Sequence, residues 1–449
     1  MKKIFLALGF IAVLLAGIIV YKEFAPKPPN TSITLSDGSK LNLIGITVGT
    51  NHTSRSDLGR LLPLVPKPIL DKFRQWTGNN RPPQILNTAE TNLVVWLEHI
   101  GFPNTPSSSG SVVIRKPGSK RAGPDQHIGF WLGAGMSNRT HSVSFRNWPR
   151  REPWLECALL ARNANYENEV VDSFRFRNPL LTTAPAWQPS PIGVQTNAGD
   201  LTVTLLEFAS GNIEKDYRRT EDGKRQSVYR PSKAVESPKA IVRVDFDSPR
   251  GTNESWVMYN ADLSDATGNK VGASSRSGMT DSMEFSPVLW PSESAWKLRL
   301  HTKRKTGFAA DELLTFTNVP LPEIGTTNAP KLTNIVMGIE SRLVEFRRLP
   351  PMDKERRSWS SRELSGFKLE HDDLGETNQI DLVSLTLQPS GEELRNNGSG
   401  WSNDYHEYHF ESIPTNATHI DLVFSVQKAR FVEFLVSPNW ITNEYVIPE

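Results

Sequence analysis

Residues 148–154 read WPRREPW and residues 290–296 read WPSESAW. Trp148-Pro149 with Trp154, and Trp290-Pro291 with Trp296, therefore share one spacing. A run in which apolar and polar residues partly alternate follows each, LECALLAR over 155–162 and KLRLHTKR over 297–304. A period of two is the period of a strand. Phenylalanines leading into proline close each copy: Phe174, Phe176, Asn178 and Pro179 in one, Phe316, Asn318 and Pro320 in the other. A fainter third copy has Ile413-Pro414, His419, IDLVFSV over 420–426, then Phe431, Phe434 and Pro438. Self-similarity of this kind marks one structural unit used several times.

Outward from these motifs, the copies also open alike. KLNLIGITV (40–48) and LTVTLLEF (201–208) alternate and then switch phase at one dipeptide, Leu43-Ile44 and Leu205-Leu206. Leu343-Val344 ahead of Phe346 is a third instance. A strand whose alternation slips by one residue carries a bulge or crosses between packed sheets. Apolar middle strands are expected at 93–97, 240–246 and 380–387. DATGN at 265–269 reads as a hairpin turn after a strand over 256–263. The one helix candidate is 68–76, where Ile69, Leu70, Phe73 and Trp76 share a face behind Pro68.

Proline-rich stretches at 179–195 and 320–330 lack either period and read as short, fairly rigid linkers. The expected division is a cytoplasmic tip and membrane segment (1–23), a proline spacer (24–30) and a first domain (31–180) with the helix as insertion. A linker (181–194), a second domain (195–322), a linker (323–329) and a third domain (330–449) follow. The chain resembles tandem immunoglobulin-like modules on a membrane stalk. That resemblance implies an all-β fold of three β-sandwich domains in a row. The two-cysteine bridge of antibody domains is absent, because Cys157 is the only cysteine. These domains are expected to be stable through their cores, with Cys157 a small buried strand residue.

The N-terminal stretch IFLALGFIAVLLAGIIVY (4–21) carries no charge. Eighteen helical residues rise about 27 Å, enough for a bilayer core of about 30 Å. Ile4, Leu8, Ile11, Leu15 and Ile19 stand along this anchor. Lys2 and Lys3 hold its start in the cytoplasm and send the body outward. The alternative is a secreted chain released by signal cleavage, but the apolar run is long for a signal peptide and ends in Ile18, Ile19, Val20 and Tyr21.

Motifs for catalysis are missing from the sequence: no phosphate-cradling loop, no H-E-x-x-H, no G-x-S-x-G. No cofactor is implied, and a net charge of +2 leaves no footprint for nucleic acid. His406 and His409 would point to opposite faces of a strand and share no metal. Asn260, Asp262, Asp265 and Asn269 crowd a loop with oxygens, yet lack an EF-hand's spacing and read as a solvated hairpin. Basic clusters at Arg115, Lys116, Lys120 and Arg121, at Arg218, Arg219, Lys224 and Arg225, and at Arg347, Arg348, Arg356 and Arg357 read as loops offset by nearby acids. Six N-x-[ST] sites carry no assigned role. The four tryptophans are expected to be repeat core residues, with Trp154 and Trp296 substantially buried; the competing reading is a stacking platform for sugars. The expectation is a membrane-anchored extracytoplasmic binding or scaffolding protein, its partner a protein or glycan of the cell envelope. The alternative is an anchored envelope hydrolase with a dispersed carboxylate or Ser/His site.

Overall fold

The structure, a computed structural model, describes residues 32–34, 38, 40–53, 85–100, 109–119, 126–131, 139–162, 168–219, 225–231, 238–248, 254–274, 281–286, 288–350, 364–375, 377–396, 398–402, 404–410, 413–438 and 445–447. The anchor residues and the helix expected at 68–76 lie outside the described residues. Among these, strands dominate, with one 3-10 turn at Ala310–Glu312 and no α-helix. No described helix is long and apolar enough to cross a membrane.

The first group of strands is β1 (Ser32–Thr34), β2 (Lys40–Thr53), β3 (Ile85–Ile100), β4 (Ser109–Arg115), β5 (Gln126–Trp131), β6 (Arg139–Phe145), β7 (Trp154–Arg162) and β8 (Asn168–Arg177). They form two four-stranded sheets, ordered β1-β2-β3-β6 and β5-β4-β7-β8. Leu93, Val95 and Leu97 of one sheet share a core with Val112, Ile114, Leu155, Cys157 and Phe174 of the other. Two sheets facing across one apolar layer is the layout of a sandwich.

The second group is β9 (Gln195–Ala198), β10 (Leu201–Gly211), β11 (Ile213–Arg219), β12 (Arg225–Pro231), β13 (Lys239–Asp247), β14 (Trp256–Asp265), β15 (Lys270–Gly272), β16 (Ser282–Phe285) and β17 (Trp296–Arg304). The third is β18 (Leu313–Pro320), β19 (Thr326–Asn328), β20 (Leu332–Val336), β21 (Ile339–Arg348), β22 (Ser365–His371), β23 (Asn378–Gln388), β24 (Gly398–Trp401), β25 (Tyr405–Phe410) and β26 (His419–Lys428). Two strands close the described chain, β27 (Arg430–Val436) and β28 (Tyr445–Ile447). One core lies between the sheets β16-β13-β10-β9 and β15-β14-β17-β27, and another between β18-β26-β23 and β19-β21-β22-β25-β24. A small sheet, β11-β12-β28, ties the C-terminal strand to the second group.

These sheets cross the division expected from sequence. In the first pair, β7 and β8 are antiparallel neighbours, with Cys157 opposite Phe174. The second pair has no such arrangement. Its β17 pairs with β27, Leu298 opposite Phe434, while β18 pairs with β26 of the third pair, Leu314 opposite Phe424. The second and third sheet pairs thus exchange their last strands. Phe316, expected in the second domain, packs in the third core, and Phe434, expected in the third, packs in the second. The physical reason is the connection between β26 and β27, which is Ala429 alone. The common tight hairpin loops have two or more residues, so β27 continues away from β26 instead of folding back on it. The stretch 323–329, expected as a linker, contains β19, which pairs with β21.

The phase switches are bulges in all three copies. Pairing slips between Leu43 and Gly45, between Leu205 and Glu207, and between Leu343 and Glu345. In β10 the burial pattern alternates through Leu205, and inward positions resume at Phe208. The middle strands at 93–97 and 240–246 pair beside these bulged strands. In the third copy that partner is β22, and the run at 380–387 lies instead in the opposite sheet beside β26.

Candidate functional site: the two junctions

The repeated tryptophan loops and the exchanged strands lie at the junctions between sheet pairs, where Asp265, Asn269, Glu293, Lys303, Arg304 and Gln427 are buried. The first junction begins with the turn after β14. Asp265 Oδ1 accepts the N–H of Thr267 (2.9 Å), the N–H of Asn269 (3.0 Å) and the Thr267 hydroxyl (2.6 Å). An aspartate binding backbone two residues on is ordinary turn chemistry. Here it fixes Asn269, which is 1% exposed. Asn269 accepts the N–H of Trp148 at 3.1 Å and donates to the Trp148 carbonyl at 3.0 Å. One side chain therefore pairs with the backbone of another sheet pair as a strand would.

The loop that receives it is WPRREPW. Asn178 donates from Nδ2 to the carbonyls of Pro149, Arg150 and Glu152, which holds the loop closed. Arg150 donates to the Thr267 carbonyl at 2.8 Å and stacks 4.0 Å from the centre of the Trp148 ring. Burial pulls its guanidinium below the usual range, partly offset by Asp265. Arg151 bonds Glu293 Oε1 at 2.6 Å and the Ala184 carbonyl at 2.6 Å. From the other side, Trp290 packs into the core of the first sheet pair beside Trp148.

The two tryptophan motifs thus serve different ends. Trp148, Trp290 and Trp296 are buried. Trp296 lies wholly inside the second core with Leu298 and Leu300, edge-on to Phe208 at 6.0 Å. Trp154 is only half-buried, at the same place in its strand. Strand β7 enters one residue out of phase with β17, turning Leu155 and Cys157 inward. Trp154 consequently faces out beneath Arg175 and Arg177, whose guanidinium carbons lie 5.2 and 5.6 Å from its ring. On the outer face of β17, Lys297, Arg299 and His301 are half-buried, Lys297 against Trp187 and Glu433, Arg299 and His301 against Phe431.

The second junction is organised by the exchanged strands. Where the ladder steps from β27 to β26, the Gln427 side chain takes over: Oε1 accepts the Arg304 N–H at 2.8 Å and Nε2 donates to the Arg304 carbonyl at 2.9 Å. Arg304 pairs with Glu254 at 3.3 Å and with Glu312. Lys303 pairs with Asp381 across the junction. Asp262 meets His301 at 3.2 Å and Lys270 at 3.3 Å. Burial alone would raise the Asp262 carboxyl, but these partners bring it below its ordinary value.

Beside Asp381 lies an aromatic and histidine cluster. His371 and His406 are edge-on with centroids 5.0 Å apart, and His371 Nδ1 contacts the Asp372 carbonyl oxygen at 2.8 Å. Burial first, and His371 second, push His406 down to about 4. Burial and the Asp381 charge push Tyr259 up to about 12 and Tyr408 higher still. Ser341 stands opposite His371 in the ladder, its hydroxyl buried with no hydrogen-bond partner among the described residues. At 0% and 4% exposure, Ser341 and His371 have no face open to a substrate.

His409 lies on the other face of β25 from His406 and is buried beside Glu407. The oxygens considered for calcium are committed elsewhere, Asp265 to its turn and Asp262 to His301 and Lys270. In the basic clusters, Arg115 is locked to Glu156 at 2.5 Å, Lys116 meets Glu152 at 2.9 Å, and Arg348 donates to the carbonyls of Pro322 and Pro414. Arg218 and Arg219 are exposed on β11. Lys120, Arg121, Lys224, Arg356 and Arg357 lie outside the described residues. Burial pushes the Cys157 thiol far up and leaves it unreactive. No family model and no curated protein matches the chain.

Proposed function

We propose that the chain is a non-enzymatic binding or scaffolding protein, built as three tandem immunoglobulin-like sandwiches held outside the cytoplasm by an N-terminal membrane anchor. The observation that carries this reading is the construction of the junctions. Trp290 crosses into a neighbouring core, Asn269 is bonded to a neighbouring backbone, and two strands are exchanged. Such joints hold surfaces on successive units at fixed offsets, which suits a scaffold that engages a protein or glycan at more than one point. Several buried charges support it too: Arg304 is taken up by Glu254 and Glu312, Lys303 by Asp381 and Glu293 by Arg151, all at the junctions.

The test uses the full chain and a Trp290→Ala chain, which loosens the first junction without touching outer surfaces. Envelope extracts passed over both should leave a partner on the parent chain that the loosened chain holds more weakly. Equal retention would remove the need for rigid joints. Turnover of an envelope polymer by the purified chain would favour the hydrolase instead. Topology is tested by a reporter active only outside the cytoplasm, fused after Glu449. It should be active, with the chain retained in membranes through a high-salt wash.

A further inference from the structure

Strand β27 is a donor that cannot serve its own neighbour, and β17 is an acceptor that its own successor does not fill. We propose that this acceptor edge is also an interaction site for a second copy of this chain, which enters by inserting its own β27. The argument starts at Ala429. One residue separates Lys428 from Arg430, so β27 leaves the third pair as a projecting strand and must find a β17. What it brings is apolar on one face: Val432, Phe434 and Val436 complete the second core, opposite Leu300, Leu298 and Trp296. Without it, that edge exposes backbone groups and core side chains together, the combination that recruits another strand.

Any β27 of the right sequence satisfies the acceptor, whether it comes from the same chain or another. The two sources differ only in concentration. Within one chain the donor is tethered to the acceptor through the folded third sheet pair, which is joined to β17 by the eight residues 305–312. A short tether of this kind gives an effective concentration of about a millimolar. Dilute chains therefore close on themselves. Chains folding at high concentration exchange with one another, as in domain swapping. The relation is head to tail: each copy offers one donor and one acceptor, so exchange closes into a reciprocal dimer or runs on as a chain of copies.

The experiment uses single cysteines in the full chain. Arg299 and Glu433 are directly opposed across β17 and β27, and both lie off the core face. Arg299→Cys and Glu433→Cys chains are unfolded together, refolded over a range of concentrations in mild detergent and oxidised. Native Cys157 is buried and does not compete. The expected result is a disulfide-linked pair containing one of each chain. While it is the minor form, its yield should rise about tenfold for each tenfold in concentration. A chain carrying both substitutions should close its disulfide internally in dilute solution, which shows that the site has formed. Lys297→Cys with Leu435→Cys serves as a second pair if the first prevents folding. The proposal is overturned if no mixed product forms at any concentration while the double variant still closes.

Discussion

Replacing Phe434 by alanine should damage the part of the molecule that begins at residue 195 and spare the strand next to it in sequence. Phe434 is 3% exposed and packs with Val432 and Val436 in the second core, opposite Leu298. Removing a buried phenylalanine side chain costs about 3–5 kcal/mol, the lost burial plus the cavity left behind. At 1.36 kcal/mol per factor of ten, opening of the second sheet pair should become roughly 10²- to 10⁴-fold more frequent. Native-state hydrogen exchange reads this directly. Amides of β17 and β14 should lose protection by about that factor, while those of β26 and β23 keep theirs. Phe316→Ala is the mirror test. Phe316 is 4% exposed, lies shortly after β17 in sequence, and packs in the third core. It should loosen β26 and β23 and leave β14 protected. If each substitution instead weakens the unit it adjoins in sequence, the exchange of strands is wrong.

Other expectations follow from single sites. Trp296→Ala should lower the melting temperature of the second sheet pair sharply, by loss of about 3–5 kcal/mol; unchanged melting with loss of glycan retention would restore the sugar-platform reading. Gly366→Ala should be among the most damaging small substitutions, because its new Cβ would sit 2.4 Å from the Tyr408 carbonyl oxygen where β22 meets β25; full expression and wild-type melting would contradict that contact. His406 has a folded-state pKa of about 4 against 6.5 when unfolded. Its contribution is therefore intact above 6.5 and is lost as pH falls from 6.5 to 4, by at most about 3 kcal/mol. Denaturant midpoints at pH 7 and pH 4.5 should differ less in His406→Gln than in the parent. Met337 is held at φ 53° in the β20–β21 turn, where a side chain is strained. Met337→Gly should raise stability by about 0.5–1 kcal/mol in thermal melts; a fall would show that its side chain contributes packing.

Much of the strand plan was legible because it rests on local pattern. The slips at Ile44, Leu206 and Val344 show as paired apolar residues in a period-two run, and a bulge is the local event that produces them. The turn at 265–269 carries its own aspartate, asparagine and glycine chemistry. Partnership between distant strands is not local. Phe316 and Phe434 have the composition of core residues in either pair, and sequence order assigned each to the nearer one. The one available signal was the single residue between the 420–428 and 430–436 runs, too short for a hairpin. Trp154 and Trp296 share a motif but differ by one residue in strand phase, which tryptophan spacing alone does not encode. The junction role of Asn269 was equally hidden, since its partner is a backbone 121 residues away in sequence. His406 was legible as a strand residue, but its edge-on contact with His371 depends on pairing between β22 and β25.

The single residue at Ala429 also sets a clock. A nascent chain emerges at about 5–20 residues per second. Strand β17 is complete at Arg304, yet the strand that seals its edge ends at Val436. At that rate the wait is on the order of ten seconds. Throughout it, Trp296, Leu298 and Leu300 have no covering strand, and the whole third unit is made in the interval. The middle of this protein is therefore the last part to finish folding, and its vulnerability to aggregation or proteolysis is set by the speed at which its final residues are delivered.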